Sequence, residues 1–162
     1  MSEIIIRRAK SEDVEKLNWA LIQLSIDLGD THAATTADLL RNGFCESPAF
    51  FALLAKTPAD SAIVGALMAS PLFSSTNAGV GLYVTDLWVA ATARGAGLGR
   101  RLLAAALTTA EENWTVRFLE LAVYRNNAKA RAFYERLGFS QFTDEIFLTL
   151  KGPALEDLRK TR

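Results

Sequence analysis

A single cysteine and a single histidine in 162 residues leave little room for disulfide or metal chemistry. Cys45 cannot close an intramolecular disulfide, and one thiol with one imidazole falls short of a structural zinc site, so no metal is expected and a reducing compartment is implied. An excess of either charge is also missing. Lys plus Arg and Asp plus Glu both number 18, so no global field draws the chain toward nucleic acid or a membrane. No segment approaches the roughly 20 apolar residues of a membrane span, and the start Met1-Ser2-Glu3-Ile4-Ile5-Ile6 lacks the basic and apolar regions of a secretory signal. The expectation is a cytoplasmic protein. Half the residues are apolar and 22% are charged, which excludes a disordered chain, and the length fits a single domain, 1–162, around one core.

The apolar pattern predicts strands at 4–8, 49–56, 63–70, 80–89, 116–123, 139–142 and 146–150. Between them, Val14, Leu17, Leu21, Leu24 and Leu28 recur at helical spacing behind Ser11, Glu12 and Asp13, and this helix should end near Gly29. A short helix is predicted at 36–42. A longer one begins at Leu98 and carries Leu102, Leu103, Ala106, Leu107 and Ala110 on one face. Asn127 caps another with Ala130, Phe133, Tyr134 and Leu137 on one stripe, and Gly138 stops it. Strands and helices mix without strict alternation. The fold class is therefore α/β, with a mixed, partly antiparallel central sheet of six to seven strands flanked by about four helices.

The chemistry-bearing stretch is Arg94-Gly95-Ala96-Gly97-Leu98-Gly99-Arg100, a glycine loop between a predicted strand and a helix. Glycines let the backbone turn tightly and approach a ligand, while free N–H groups and the helix dipole at a helix start favour phosphate or pyrophosphate. Arg94, Arg100 and Arg101 are further donors suited to phosphate. The spacing is G-x-G-x-G rather than the G-x-G-x-x-G of dinucleotide folds, and no Gly-Lys-Ser/Thr of a nucleoside-triphosphate loop follows.

Read from Arg94, the loop is R-x-x-G-x-G after a strand, and about 30 residues later comes Asn127-x-x-Ala130-x-x-Phe133-Tyr134-x-x-Leu137-Gly138-Phe139. This pairing resembles the GNAT superfamily of N-acetyltransferases. The resemblance implies acetyl-CoA as cosubstrate, its pyrophosphate on the amides of Gly95 to Gly99 and its pantetheine against the backbone of Leu87, Trp88 and Val89. It also places the helix from Asn127, with Ala130, Phe133 and Tyr134, along the far side of the cofactor. The segments 37–44 and 50–55, with Leu82-Tyr83-Val84-Thr85-Asp86-Leu87-Trp88-Val89, look like the diamine (spermidine/spermine, and thialysine) N-acetyltransferase branch. That resemblance implies a homodimer and a small-molecule amine acceptor. The branch usually carries Glu-Asp where this chain has Thr85-Asp86.

Acetyl transfer to an amine needs a neutral amine, a polarised thioester carbonyl and a proton for the departing thiolate. An alkylamine with a pKa near 10.4 is roughly 0.1% neutral at pH 7, so a base or a desolvating pocket must help. Asp86 is the candidate for contact with the amine and for proton removal through water; an acid at a strand edge is the plainer reading. Tyr134 stands where the resemblance implies a general acid, although a tyrosine on an apolar stripe also fits a core. Asp27, Asp30 and His32 lie in the segment where the family often lines its acceptor pocket, and solvated helix-end acids with a loop histidine fit the same pattern. Other functions stay open: a noncatalytic acyl-CoA sensor, and acetylation of protein N-termini or lysines.

Overall fold

The computed structural model describes residues 3–142 and 144–161, in two compact units that divide between Tyr124 and Arg125. In the first unit β1 (Ile5–Arg8), β2 (Phe51–Lys56), β3 (Ile63–Ser74), β4 (Gly79–Val89) and β5 (Val116–Leu121) form one sheet in that order. Strands β1 to β4 run antiparallel to their neighbours, whereas β5 is parallel to β4. A parallel pair needs a crossover, and helix α3 (Leu98–Glu111) supplies it. The mixed sheet expected from the element order is thus the one that forms.

Helices α1 (Val14–Leu28) and α2 (Thr36–Gly43) precede β2. Leu17, Ala20 and Leu21 of α1 form one buried cluster with Ala52, Leu54, Ala66 and Trp88 of the sheet. Gly65, one residue before Ala66, instead faces Leu98 and Leu102 of α3, which leave no spare room for a side chain there. Successive strand residues point to opposite faces, so α1 and α3 cover opposite sides of the sheet. This explains why β2 is apolar and buried from Phe51 to Ala55 rather than alternating. Helix α1 ends as its sequence predicts, with Gly29 in the left-handed region at φ 73°.

One ion pair ties β1 to the start of α1. Asp13, 3% exposed, accepts from both terminal nitrogens of Arg7 at 2.7 Å and from the Lys10 amide at 2.9 Å. The Arg7 guanidinium, followed by the backbone bond, holds this carboxyl down at about 2 against the opposing effect of burial. Because the folded value lies below the unfolded one of about 3.9, the stabilisation is complete above pH 4 or so and is lost as the pH falls toward about 2. It amounts to about 2 kcal/mol, reduced somewhat by solvent at the one-third-exposed Arg7. Asp13→Asn should lower the melting temperature by about 4–8 °C at pH 7, and thermal melts should show the gap closing toward pH 2.

The second unit contains α4 (Ala128–Arg136) and α5 (Pro153–Lys160). Here two expectations are corrected. The predicted strands 139–142 and 146–150 are absent among the described residues, so the sheet has five strands rather than six or seven, and five α-helices stand where about four were expected. An apolar pattern can fit a pleat, but it does not supply the neighbour whose hydrogen bonds make a strand. Phe142, Ile146, Phe147 and Leu148 stand 69%, 83%, 84% and 87% exposed. Helix α5 is too short for periodicity to reveal, although Pro153 at its first turn and Arg159 and Lys160 in its last are proper end signals. No helix among the described residues is long and apolar enough to cross a membrane.

Candidate active site

After β4 the chain makes one short turn at Ala91–Ala93 and enters the glycine loop. Gly95 and Gly97 take left-handed φ values of 81° and 76°, which L side chains rarely adopt, and among the described residues no atom beyond their chain neighbours lies within 4 Å of where their side chains would begin. Gly97 is the N-cap of α3, and the first amide to bond back is that of Arg101, to the Gly97 carbonyl at 3.1 Å. The amides of Leu98, Gly99 and Arg100 are therefore the unpaired donors of a helix start, beside a loop open to solvent. Leu98 is buried and anchors this turn.

The three arginines differ. Arg100 is exposed and makes no ion pair or hydrogen bond among the described residues, so it is free to meet an anion. Arg101 donates to the Ile4 carbonyl at 2.7 Å. Arg94 donates through Nε to the Val89 carbonyl at 2.9 Å and through Nη2 to Asp27 at 2.5 Å. The last two are engaged within the fold.

Strand β4 has an open edge beside the loop. Its pairing with β5 ends at Val84 opposite Leu121, so Thr85 to Val89 keep β3 on one side and have no strand among the described residues on the other. The β3 register also breaks here: Met68 faces Asp86 and Ala69 faces Val84, leaving Thr85 as the extra residue of a bulge. Bulges re-aim side chains. This one puts Asp86 in step with Trp88, on the face covered by α1, while the Thr85 hydroxyl reaches the Met68 carbonyl at 3.4 Å.

Burial pushes the Asp86 carboxyl up from its ordinary value, and the Thr85 hydroxyl and nearby His32 pull it partly back. His32 Nε2 lies 2.9 Å from Asn18 Oδ1 on α1, which fixes the ring. Of the five acceptor-side candidates, Thr85 and Asp86 share the bulge, while His32 is held by Asn18 of α1 and acts on Asp86 through its charge. The other two face elsewhere. Asp27 is bound by Arg94 and by Trp88 Nε1 at 3.2 Å, and both Asp30 oxygens accept from the Tyr124 hydroxyl at 2.9 Å. Asn18 and Tyr124 were not singled out by the sequence, and neither carries a local signal: one is a polar residue within α1, the other a loop aromatic after β5.

In the second unit Asn127 caps α4, its side-chain oxygen accepting from the Ala130 amide at 3.1 Å. Tyr134 sits edge-on to Phe133 and Phe139, with ring centres 5.0 and 5.4 Å away, and its hydroxyl has no hydrogen-bond partner among the described residues. Burial pushes this phenol up to about 12. No group of three or more His, Cys, Asp or Glu among the described residues is placed to hold a metal.

The arrangement combines an amide cradle for an anion, an open strand edge for an extended ligand and a half-buried carboxylate at a bulge. The chain is 28% identical over 152 residues to the thialysine N-epsilon-acetyltransferase of Sus scrofa, covering 89% of this chain and 88% of that one. It is 35% identical over 91 residues to the uncharacterised N-acetyltransferase YhfO of Bacillus subtilis (strain 168), a match spanning 56% of this chain and 60% of that relative's length. A solved aminoglycoside N-acetyltransferase in complex with CoA superposes with a TM-score of 0.73 at 17% identity, over 94% of this chain and 97% of the other, a likeness of fold. Residues 17–139 match the acetyltransferase (GNAT) family, and the chain belongs to it, a family of enzymes whose cosubstrate is acetyl-CoA.

Proposed function

We propose that this protein moves the acetyl group of acetyl-CoA directly to the primary amine of a small molecule, either a diamine or polyamine or an amino acid with a side-chain amine. The observation that carries this reading is Asp86, half-buried at the β4 bulge where the pairing with β5 has ended. The relative from Sus scrofa bears the name of an enzyme acting on thialysine, a small amine, and the CoA-bound structural neighbour that of an aminoglycoside acetyltransferase.

In this reading the amides of Gly95 to Gly99 hold the cofactor's pyrophosphate with Arg100, and the backbone of Leu87, Trp88 and Val89 lies along its pantetheine. Acetyl-CoA supplies the acetyl thioester. A main-chain N–H near Trp88 and Val89 polarises its carbonyl. Asp86 receives the ammonium and takes its proton through water. Tyr134, by its place in the family motif and its chemistry, gives a proton to the departing thiolate.

The first test is cofactor binding. Gly97→Val puts a branched side chain on a residue with φ 76°, a strain of roughly 1–2 kcal/mol per residue. Titration calorimetry should therefore show CoA binding weakened by about tenfold or more. Equal affinity would remove the loop from the cofactor site. An amine panel read by free-thiol release then identifies the acceptor class.

A further inference from the structure

Asp27 entered as a candidate for holding a cationic acceptor, but its partners give it another role. A single oxygen, Oδ2, accepts from Trp88 Nε1 on β4 at 3.2 Å and from Arg94 Nη2 at the head of the glycine loop at 2.5 Å. Arg94 reaches in turn through Nε to the carbonyl of Val89, the last residue of β4. One carboxylate near the C-terminus of α1 therefore joins the open edge of β4 to the first residue of the loop. Trp19, Gln23, Asp27, Trp88 and Arg94 border a cavity of about 280 Å³ at this junction, and Trp19 packs edge-on to Trp88 with ring centres 5.4 Å apart.

We infer that Asp27 is a positioning residue for the cofactor rather than an acceptor ligand, acting through Arg94 and Trp88 to fix the strand edge and the amide cradle relative to each other. The inference rests on the proposed cofactor site. Two physical points support it. Paired with Arg94, Asp27 offers no free negative charge to attract an amine, and that same pairing cancels the repulsion it would exert on a nearby phosphate. The ion pair is also half open to water, with side-chain exposures of 42% for Asp27 and 53% for Arg94, so it contributes little to global stability. Its consequence lies in geometry: a chain that supplies both halves of one cradle binds best when their relative placement is already fixed.

The test compares wild type with Asp27→Asn, Asp27→Ala, Arg94→Ala and the Asp27→Ala/Arg94→Ala double variant. CoA affinity is read by calorimetry, steady-state constants with both substrates varied, and melting temperature alongside. For Asp27→Ala the expected result is a three- to tenfold weaker CoA affinity and a matching rise in KM for acetyl-CoA. The kcat at saturating acetyl-CoA, the KM for the amine and the melting temperature should change little. Arg94→Ala should do the same, the double variant should be no worse than the poorer single, and Asp27→Asn should fall between. A raised amine KM with unchanged CoA affinity would make Asp27 an acceptor ligand and overturn the inference. So would unchanged or tighter CoA binding, because Arg94 released from Asp27 would then serve the phosphate better than Arg94 held. A wild type that binds no CoA would instead sink the proposed function itself.

Discussion

Tyr134→Phe is expected to leave the fold intact and to lower kcat about 100-fold when the chemical step limits turnover. The fold should survive because the hydroxyl makes no hydrogen bond among the described residues, while the ring contacts to Phe133 and Phe139 are shared by phenylalanine. A positioned general acid contributes typically 10²–10⁴-fold, and the efficiency follows its acidity. Burial pushes the Tyr134 phenol up to about 12, which keeps it protonated throughout the working range but makes it a weaker acid than an ordinary phenol near 10. The loss should therefore lie at the lower end of that range. Because the proton is never absent at working pH, the wild-type pH profile should carry no falling limb from this residue. Circular dichroism and melting temperature report the fold, and stopped-flow thiol release reports the chemical step. A variant with wild-type kcat under those conditions would return Tyr134 to a packing role.

The parts of the molecule legible from the sequence were those decided by short-range chemistry. Val14, Leu17 and Leu21 at helical spacing, Gly29 at the stop and Gly97 before Leu98 each write their own local structure, and all appear where expected. The candidate site is legible only in outline. That Thr85 bulges out and turns Asp86 toward α1 depends on the register of β3, 17 residues away, and nothing within Tyr83-Val84-Thr85-Asp86 announces it. The partners that sort the acidic residues into roles lie farther off still, 61 residues for Trp88 with Asp27, 67 for Arg94 with Asp27 and 94 for Tyr124 with Asp30. A carboxylate's role is set by what neutralises it, and that is a tertiary fact. The same reasoning covers residues 139–142 and 146–150, where an apolar pattern predicts strands but strand formation waits on a partner.

Asp86→Asn should depress kcat/KM about 100-fold or more for every amine while raising the melting temperature, and that opposition distinguishes a working base from an acid at a strand edge. Burial is the largest influence on this carboxyl and raises its folded value above its unfolded one. The sign for stability follows: at neutral pH the ionised side chain costs the folded state free energy, a cost that fades as the pH falls through the raised folded value. An amide of the same shape carries no charge to desolvate, so the variant gains stability as it loses activity, the usual mark of a functional group held in an unfavourable setting. For catalysis the sign reverses, since proton removal needs the carboxylate. The acid limb of kcat/KM should therefore lie above the ordinary carboxylate range, and the rate should climb further with pH as more of the amine is neutral. Thr85 provides the control. It is exposed, and its hydroxyl is one of the two groups that lower the Asp86 value. Thr85→Glu removes that hydroxyl and sets a second negative charge beside Asp86. The acid limb should shift to higher pH, and kcat/KM for long polyamines should rise relative to short amines. Full activity in Asp86→Asn would show that Asp86 is not the base, and a melting temperature below wild type would show that burial does not destabilise its carboxylate; an unmoved acid limb in Thr85→Glu would show that the limb belongs to another group.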